Sequence, residues 1–369
     1  MAATDAATAM TRPWNFSAGP AMLPQAVLDS IRDELPDYHA TGISMLEMGH
    51  RTETFAALMA QAEADLRALM DIPEQYAVLF LHGGASLQFA MAPLNLLGGH
   101  TAASYINTGL WSAKAIKEAG RLCHVHVAAD AAASNYTAIP SAAQWHVPAD
   151  SAFLHYTVNE TIGGIEFHWV PHAEQMPLVA DMTSMILSRP VDVRHHALIY
   201  AGAQKNLGIA GLTLVIVDRD ALQTLPAGMP SMLDLRTQIE AGSLYNTPPV
   251  FAWYVTSKVL AWVKAEGGVN VFAERNRRKA ALLYETIDAS NLYRNPIQRD
   301  CRSWMSVPFT LADHGLEALF LREADAAGLL GLAGHRSTGG LRACIYNAMP
   351  EAGVKQLTDF MREFERVRA

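Results

Sequence analysis

The chain is poor in cysteine. Cys123, Cys301 and Cys344 are its only three, and they lie far apart. Such a set cannot form a fully paired disulfide framework and suits a reducing compartment. Apolar runs as long as a membrane span are missing, and Met1 to Pro13 is rich in alanine and threonine without the hydrophobic core of a secretory signal. A cytoplasmic protein that spans no membrane is expected, with a disordered extension over residues 1–13. Basic blocks are absent too. With a net charge of −8 and no cationic cluster, nucleic acid is not the expected partner, and any anion site has to be made locally. No metal set stands out: His124 and His126 fall on one face of a predicted strand, but no carboxylate or cysteine completes a ligand group, so packing is their expected role.

What is present is enough chain for two domains: 369 residues, half of them apolar. Short apolar runs alternate with helical patterns in the order of a mostly parallel sheet covered on both faces, which makes the class α/β. Strands are predicted at 77–81, 104–107, 122–127, 153–157, 178–181, 198–201 and 212–218. Phe55, Leu58, Met59, Ala62, Leu66 and Leu69 recur at helical spacing, in a helix that should stop before Pro73. A second helical stretch is read at 87–97. A long helix at 252–266 ends at Gly267 and Gly268 and leads into a smaller α+β unit, with strands at 305–310 and 341–346, a helix at 316–327 and a final helix.

Lys205 interrupts an otherwise apolar, glycine-punctuated run from Leu198 to Gly211. Such an amine either snorkels to water or loses hydration, and in the second case its pKa falls and it becomes a nucleophile toward aldehydes. Asp181 closes the preceding predicted strand, where sheets of this kind form their ligand crevice. It either caps a turn with Thr183 or Ser184, or keeps a bound pyridine nitrogen protonated. Gly83, Gly84, Ala85 and Ser86 join a strand to a helix, an ordinary turn or a phosphate cradle of free amides and a hydroxyl. Trp111 can stack on a flat ring or fill the core, and the Thr161 hydroxyl can reach the ring or close its own turn. Two His-Arg pairs, His50-Arg51 and His335-Arg336, are either solvated loops or an anion receptor.

Several of these residues lie in stretches that resemble the phosphoserine aminotransferases: Asn15-Phe-Ser-Ala-Gly-Pro-Ala-Met-Leu-Pro24, Gly49-His-Arg51, His82-Gly-Gly-Ala-Ser-Leu-Gln-Phe89, Ile186-Leu-Ser-Arg-Pro190, Tyr200-Ala-Gly-Ala-Gln-Lys-Asn206, Tyr245-Asn-Thr-Pro-Pro249, Gly334-His-Arg336 and Gly339-Gly-Leu-Arg-Ala-Cys-Ile-Tyr-Asn-Ala-Met-Pro350. The resemblance runs over nearly the whole chain after Pro13. It implies the fold type I of pyridoxal-phosphate transferases, in the class V aminotransferase family. The large domain, with a seven-stranded, mostly parallel sheet, would span 25–266, and the small domain 14–24 and 267–369. It further implies pyridoxal 5'-phosphate held by Lys205 as a Schiff base, with Asp181 on the ring nitrogen, Trp111 on the ring and Thr161 beside it. Ala85, Ser86 and Gln204 would bind the phosphate, with Asn246 and Thr247 reaching it across the interface of a homodimer.

By the same resemblance Arg342 holds the substrate α-carboxylate, and His50, Arg51, His335 and Arg336 gather around the substrate phosphate. The implied reaction moves an amino group between L-glutamate and 3-phosphohydroxypyruvate, in serine biosynthesis, with 4-phosphooxy-L-threonine of the vitamin B6 route as a further substrate. Two rivals stay in view. A cysteine desulfurase would need a nucleophilic cysteine on a mobile loop, for which Cys301 is the only candidate. A protein that binds the cofactor without catalysis would not need the full set of reactive residues found here.

Overall fold

The computed structural model describes residues 12–171, 176–222 and 228–368. The expected extension lies outside them up to residue 11; Arg12 donates to the Leu23 carbonyl at 3.0 Å. In chain order the first elements are β1 (Trp14–Asn15), α1 (Gln25–Glu34), α2 (Glu53–Met70), β2 (Tyr76–Leu81), α3 (Gly84–Leu96), β3 (Ala102–Asn107), α4 (Leu110–Ala119) and β4 (His124–Asp130). Next come β5 (Ser151–Thr157), β6 (Leu178–Asp181), β7 (Leu198–Gly202), β8 (Thr213–Asp218), α5 (Leu235–Glu240), α6 (Val250–Ala265) and α7 (Gly268–Asp288). The chain closes with β9 (Tyr293–Arg294), β10 (Ser306–Leu311), α8 (Glu317–Ala326), β11 (Leu329–Leu330), β12 (Leu341–Cys344) and α9 (Glu351–Arg368).

Seven strands form the main sheet in the order β2-β8-β7-β6-β5-β3-β4. All pairs are parallel except those of β8, which runs against both β2 and β7. Strands β2, β3, β5, β6 and β7 are buried along their whole length. That is why their sequences read as mostly apolar runs: both faces are covered. One core packs Phe55, Leu58 and Leu66 of α2 and Trp253 and Tyr254 of α6 against one face, and a second packs Phe89, Met91 and Ala115 of α3 and α4 against the other. Met45 and Met48 belong to the first of these. β4 is one of the two edge strands, and its predicted bounds slipped by two to three residues; His124 is exposed there, and His126 Nε2 meets the His146 carbonyl at 2.8 Å. Helix α2 starts at a Thr52 cap whose hydroxyl accepts the Phe55 N–H, and it stops at Asp71 in the left-handed conformation, ahead of Pro73.

The C-terminal part has its own core, built from α7, β10, β12, α8 and α9, with Phe16 and Met22 of the N-terminal segment packed into it. β1 pairs with β11, so residues 14–15 are tied to that part rather than to the main sheet. Between the two parts, Asn347 N–H donates to Asn206 Oδ1 at 3.0 Å and the Asn276 amide donates to the Ser188 carbonyl at 2.9 Å. Among the described residues no helix is long and apolar enough to cross a membrane.

Candidate active site

The carboxyl ends of β5 and β6 meet in register at Thr157 and Asp181, and β7 turns at Gly202 into Ala203, Gln204 and Lys205. A cavity of about 350 Å³ opens over these strand ends, the usual crevice of a parallel sheet. Of the residues singled out in the sequence, Ala85, Ser86, Trp111, Thr161, Asp181, Gln204, Lys205, His335 and Arg342 line it. The structure adds Thr157, Asn159, Ser184, Ala18 and Gly19. Thr157 was findable, since it ends its strand just as Asp181 does.

Lys205 is buried, and its ammonium donates to the Thr161 hydroxyl. Burial pulls its pKa down to about 8, against the opposing effect of the Asp181 carboxylate. Snorkelling to water is thereby excluded. Asp181 is buried too, and burial raises its carboxyl above the ordinary value although the Thr183 N–H, donating at 2.9 Å, works the other way. One side chain therefore makes the turn contact with Thr183 and also lines the cavity. The Trp111 ring centroid lies 6.0 Å from Lys205 Nζ and 4.4 Å from Lys114 Nζ.

At the other wall, Gly83 and Gly84 take φ of +92° and +65°, a left-handed path that only glycine follows without strain. That turn delivers Gly84, Ala85 and Ser86 to the cavity as the first turn of α3, where backbone N–H groups have no carbonyl partner within the helix. Arg342, on β12, is nearly buried, yet no carboxylate pairs with it among the described residues. A buried cation left without a counter-ion is costly, so this guanidinium is set for an anionic ligand. His335 stands beside it, and burial together with the neighbouring Arg342, Arg336 and Lys114 cations lowers its pKa.

The donor set fits a planar phosphorylated aldehyde. Trp111 Nε1, Thr157 Oγ1 and Asn159 Oδ1 line the cavity buried and without a partner, and buried polar atoms of this kind ordinarily have one. A lysine amine and a carboxylate face the same space, and helix amides suited to a phosphate stand at its edge.

His50, Arg51, Arg336, Asn246 and Thr247 do not line this cavity in a single chain. Arg51, Arg336, Asn246 and Thr247 are exposed, and Asn246 borders a separate recess with His82 and Ser243. Cys301 and Cys344 are buried, and burial pushes the Cys301 thiol up to about 11. A nucleophilic cysteine needs exposure and a lowered pKa, so the desulfurase reading loses its candidate.

With the cofactor removed, Lys205 should condense with an added aldehyde at a rate that climbs as pH rises through about 8 and then levels, because only the neutral amine attacks. A rate still climbing steeply past pH 9.5 in a rapid-mixing titration would describe an ordinary surface lysine instead.

The profile of the aminotransferase class-V family matches residues 13–357. The chain is 53% identical over 355 residues to the phosphoserine aminotransferase of Pseudomonas aeruginosa, covering 96% of this chain and 98% of that relative. It is 50% identical over 368 residues to the phosphoserine aminotransferase of Nitrosomonas europaea, covering 98% and 100%. Among solved structures, the phosphoserine aminotransferase of Bacillus circulans subsp. alkalophilus matches with a TM-score of 0.95 at 45% identity, over 97% of this chain and 99% of that one. A PLP-bound phosphoserine aminotransferase from Trichomonas vaginalis matches with a TM-score of 0.91 at 37% identity, over 95% and 100%.

Proposed function

The chain belongs to the aminotransferase class-V family, and from that premise we propose that it is a phosphoserine transaminase, moving the amino group between L-glutamate and 3-phosphohydroxypyruvate to give O-phospho-L-serine and 2-oxoglutarate. Its cofactor is pyridoxal 5'-phosphate. One observation carries the reading: a single cavity holds a desolvated lysine amine and an arginine without a counter-ion among the described residues.

Pyridoxal phosphate, when bound, supplies a protonated ring that takes up the electron pair left as the substrate's α-proton departs. Lys205 anchors the cofactor, then takes that proton on Nζ and returns it, its lowered pKa suiting general-base work near neutral pH. Thr161 orients the amine through its hydroxyl. Asp181 keeps the ring nitrogen protonated, and Trp111 covers the ring. Ala85 and Ser86, at the start of α3, hold the cofactor phosphate with Gln204. Arg342 binds the α-carboxylate common to both substrates, since its planar fork can donate two hydrogen bonds to it. His335 and Arg336, with His50 and Arg51, take the phosphate of the second substrate. Because that anchor does not depend on the carbon chain, 4-phosphooxy-L-threonine is also a substrate in this reading.

The proposal includes a homodimer. Asn246, Thr247 and Arg51 are exposed in one chain, and Ile43, Leu46 and Tyr245, close to them in sequence, leave large apolar side chains uncovered. A second copy is what can bring those loops to the cavity and cover them. A cytoplasmic location belongs to the same proposal and rests on the scattered, unpaired cysteines.

The test is a single-turnover spectrum of the purified holoenzyme mixed in turn with glutamate and with phosphoserine. Bleaching of the cofactor's visible band by both is expected. Bleaching by glutamate alone would keep a transaminase but refute the phosphorylated partner.

A further inference from the structure

Glu160 is wholly buried, and no lysine, arginine or histidine stands within salt-bridge distance of it among the described residues. Its carboxylate is spent on the start of α4. Oε2 accepts the Trp111 N–H at 3.0 Å, and Oε1 accepts both the Ser112 N–H and the Ser112 hydroxyl at 2.8 Å. Both amides belong to the first turn, which has no helical carbonyls of its own to use, and the positive end of the helix favours an anion there. The contact depends on Gly109: a Cβ on that residue would lie 2.6 Å from the Glu160 carboxyl carbon. The next side chain along, Thr161, accepts from Lys205. Two consecutive residues therefore hold the tryptophan backbone on one side and the lysine amine on the other.

We propose that Glu160 is a positioning residue for the cofactor, fixing the Trp111 ring against the cavity through the paired acceptor oxygens of its carboxylate. The proposal rests on Trp111 being the ring that covers the cofactor. A glutamine of the same shape cannot replace it, because its NH₂ would face the N–H of either Trp111 or Ser112, donor against donor. Burial raises the Glu160 carboxyl above its ordinary value, while the amides and the hydroxyl pull it back.

The experiment titrates cofactor-free protein with pyridoxal phosphate and reads the dissociation constant from the visible band, for the parent chain, Glu160→Gln, Trp111→Ala and the double variant. Glu160→Gln should weaken binding about 10- to 100-fold, the range expected when a buried donor loses its partner. In the Trp111→Ala background the same substitution should cost less than about 2-fold, because a residue acting through the ring has nothing left to position. An undiminished loss in that background would reduce Glu160 to a general stabiliser and overturn the proposal. Tight binding by Glu160→Gln alongside weak binding by Trp111→Ala would overturn it while leaving the cofactor site standing. No effect of Trp111→Ala would remove the ring's role and the proposal together. Should the glutamine variant not fold, Ser112→Ala strips the hydroxyl donor from Glu160 and leaves both amides on it, while also freeing the Thr108 and Gly109 N–H groups that the hydroxyl accepts; a loss that again vanishes without Trp111 is expected, and a loss that persists without Trp111 overturns the proposal.

Discussion

Lys205→Ala is expected to lose the visible absorbance of the lysine-bound cofactor and about 10⁴-fold or more of turnover, the upper end of what a positioned general base contributes. The effect is large because no second amine lines the cavity among the described residues: Lys114 sits outside the lining, and Lys279, though buried, is used by the carbonyls of Ile345, Tyr346 and Met349. Alanine also removes the buried ammonium, so the cofactor-free variant should unfold at a temperature no lower than the parent's. That separates a chemical loss from a folding loss. Absorbance spectra of the purified variant and a coupled assay decide it. Retention of both the band and the turnover would move the Schiff base to another residue.

The buried lysine and aspartate of the cavity were legible because a charged residue at the end of an apolar run is hard to explain otherwise, and both Asp181 and Lys205 stand at such places. The sheet was legible for the same reason. Its reversed strand was not: β8 is buried along nearly all its length, and an apolar run reads alike in either direction. Helix α7 went unread because two of its inward positions carry Asn276 and Lys279, whose polar groups meet carbonyls and an asparagine of neighbouring segments. Only the fold reveals that those positions face inward. Glu160 failed to draw notice on similar grounds, since a glutamate between Asn159 and Thr161 looks like a solvated turn until α4 is placed over it. Of the residues that remain outside the cavity of one chain, Asn246 and Thr247 came from family resemblance alone, whereas His50, Arg51 and Arg336 also stood out through the repeated His-Arg pair.

Arg342→Ala should lower kcat/KM by about 10²- to 10³-fold for glutamate and for the phosphorylated substrate alike, the loss expected when a buried, charge-assisted carboxylate contact is broken. The two half-reactions suffer equally because each substrate presents the same α-carboxylate. Arg336→Ala is the contrasting case. Its side chain is exposed and it stands beside His335 at the rim, so its loss should be smaller, about 10- to 100-fold, and confined to the substrate that carries a phosphate. Glutamate should then react within about 3-fold of the parent. Read as free energies, the ratio of the two half-reactions assigns each cation to its anion without a bound ligand in view. Equal damage to both substrates by Arg336→Ala would place that arginine at the carboxylate or in the scaffold. Damage by Arg342→Ala confined to the phosphorylated substrate would move that arginine to the phosphate, and with it the orientation in which the substrate enters the cavity.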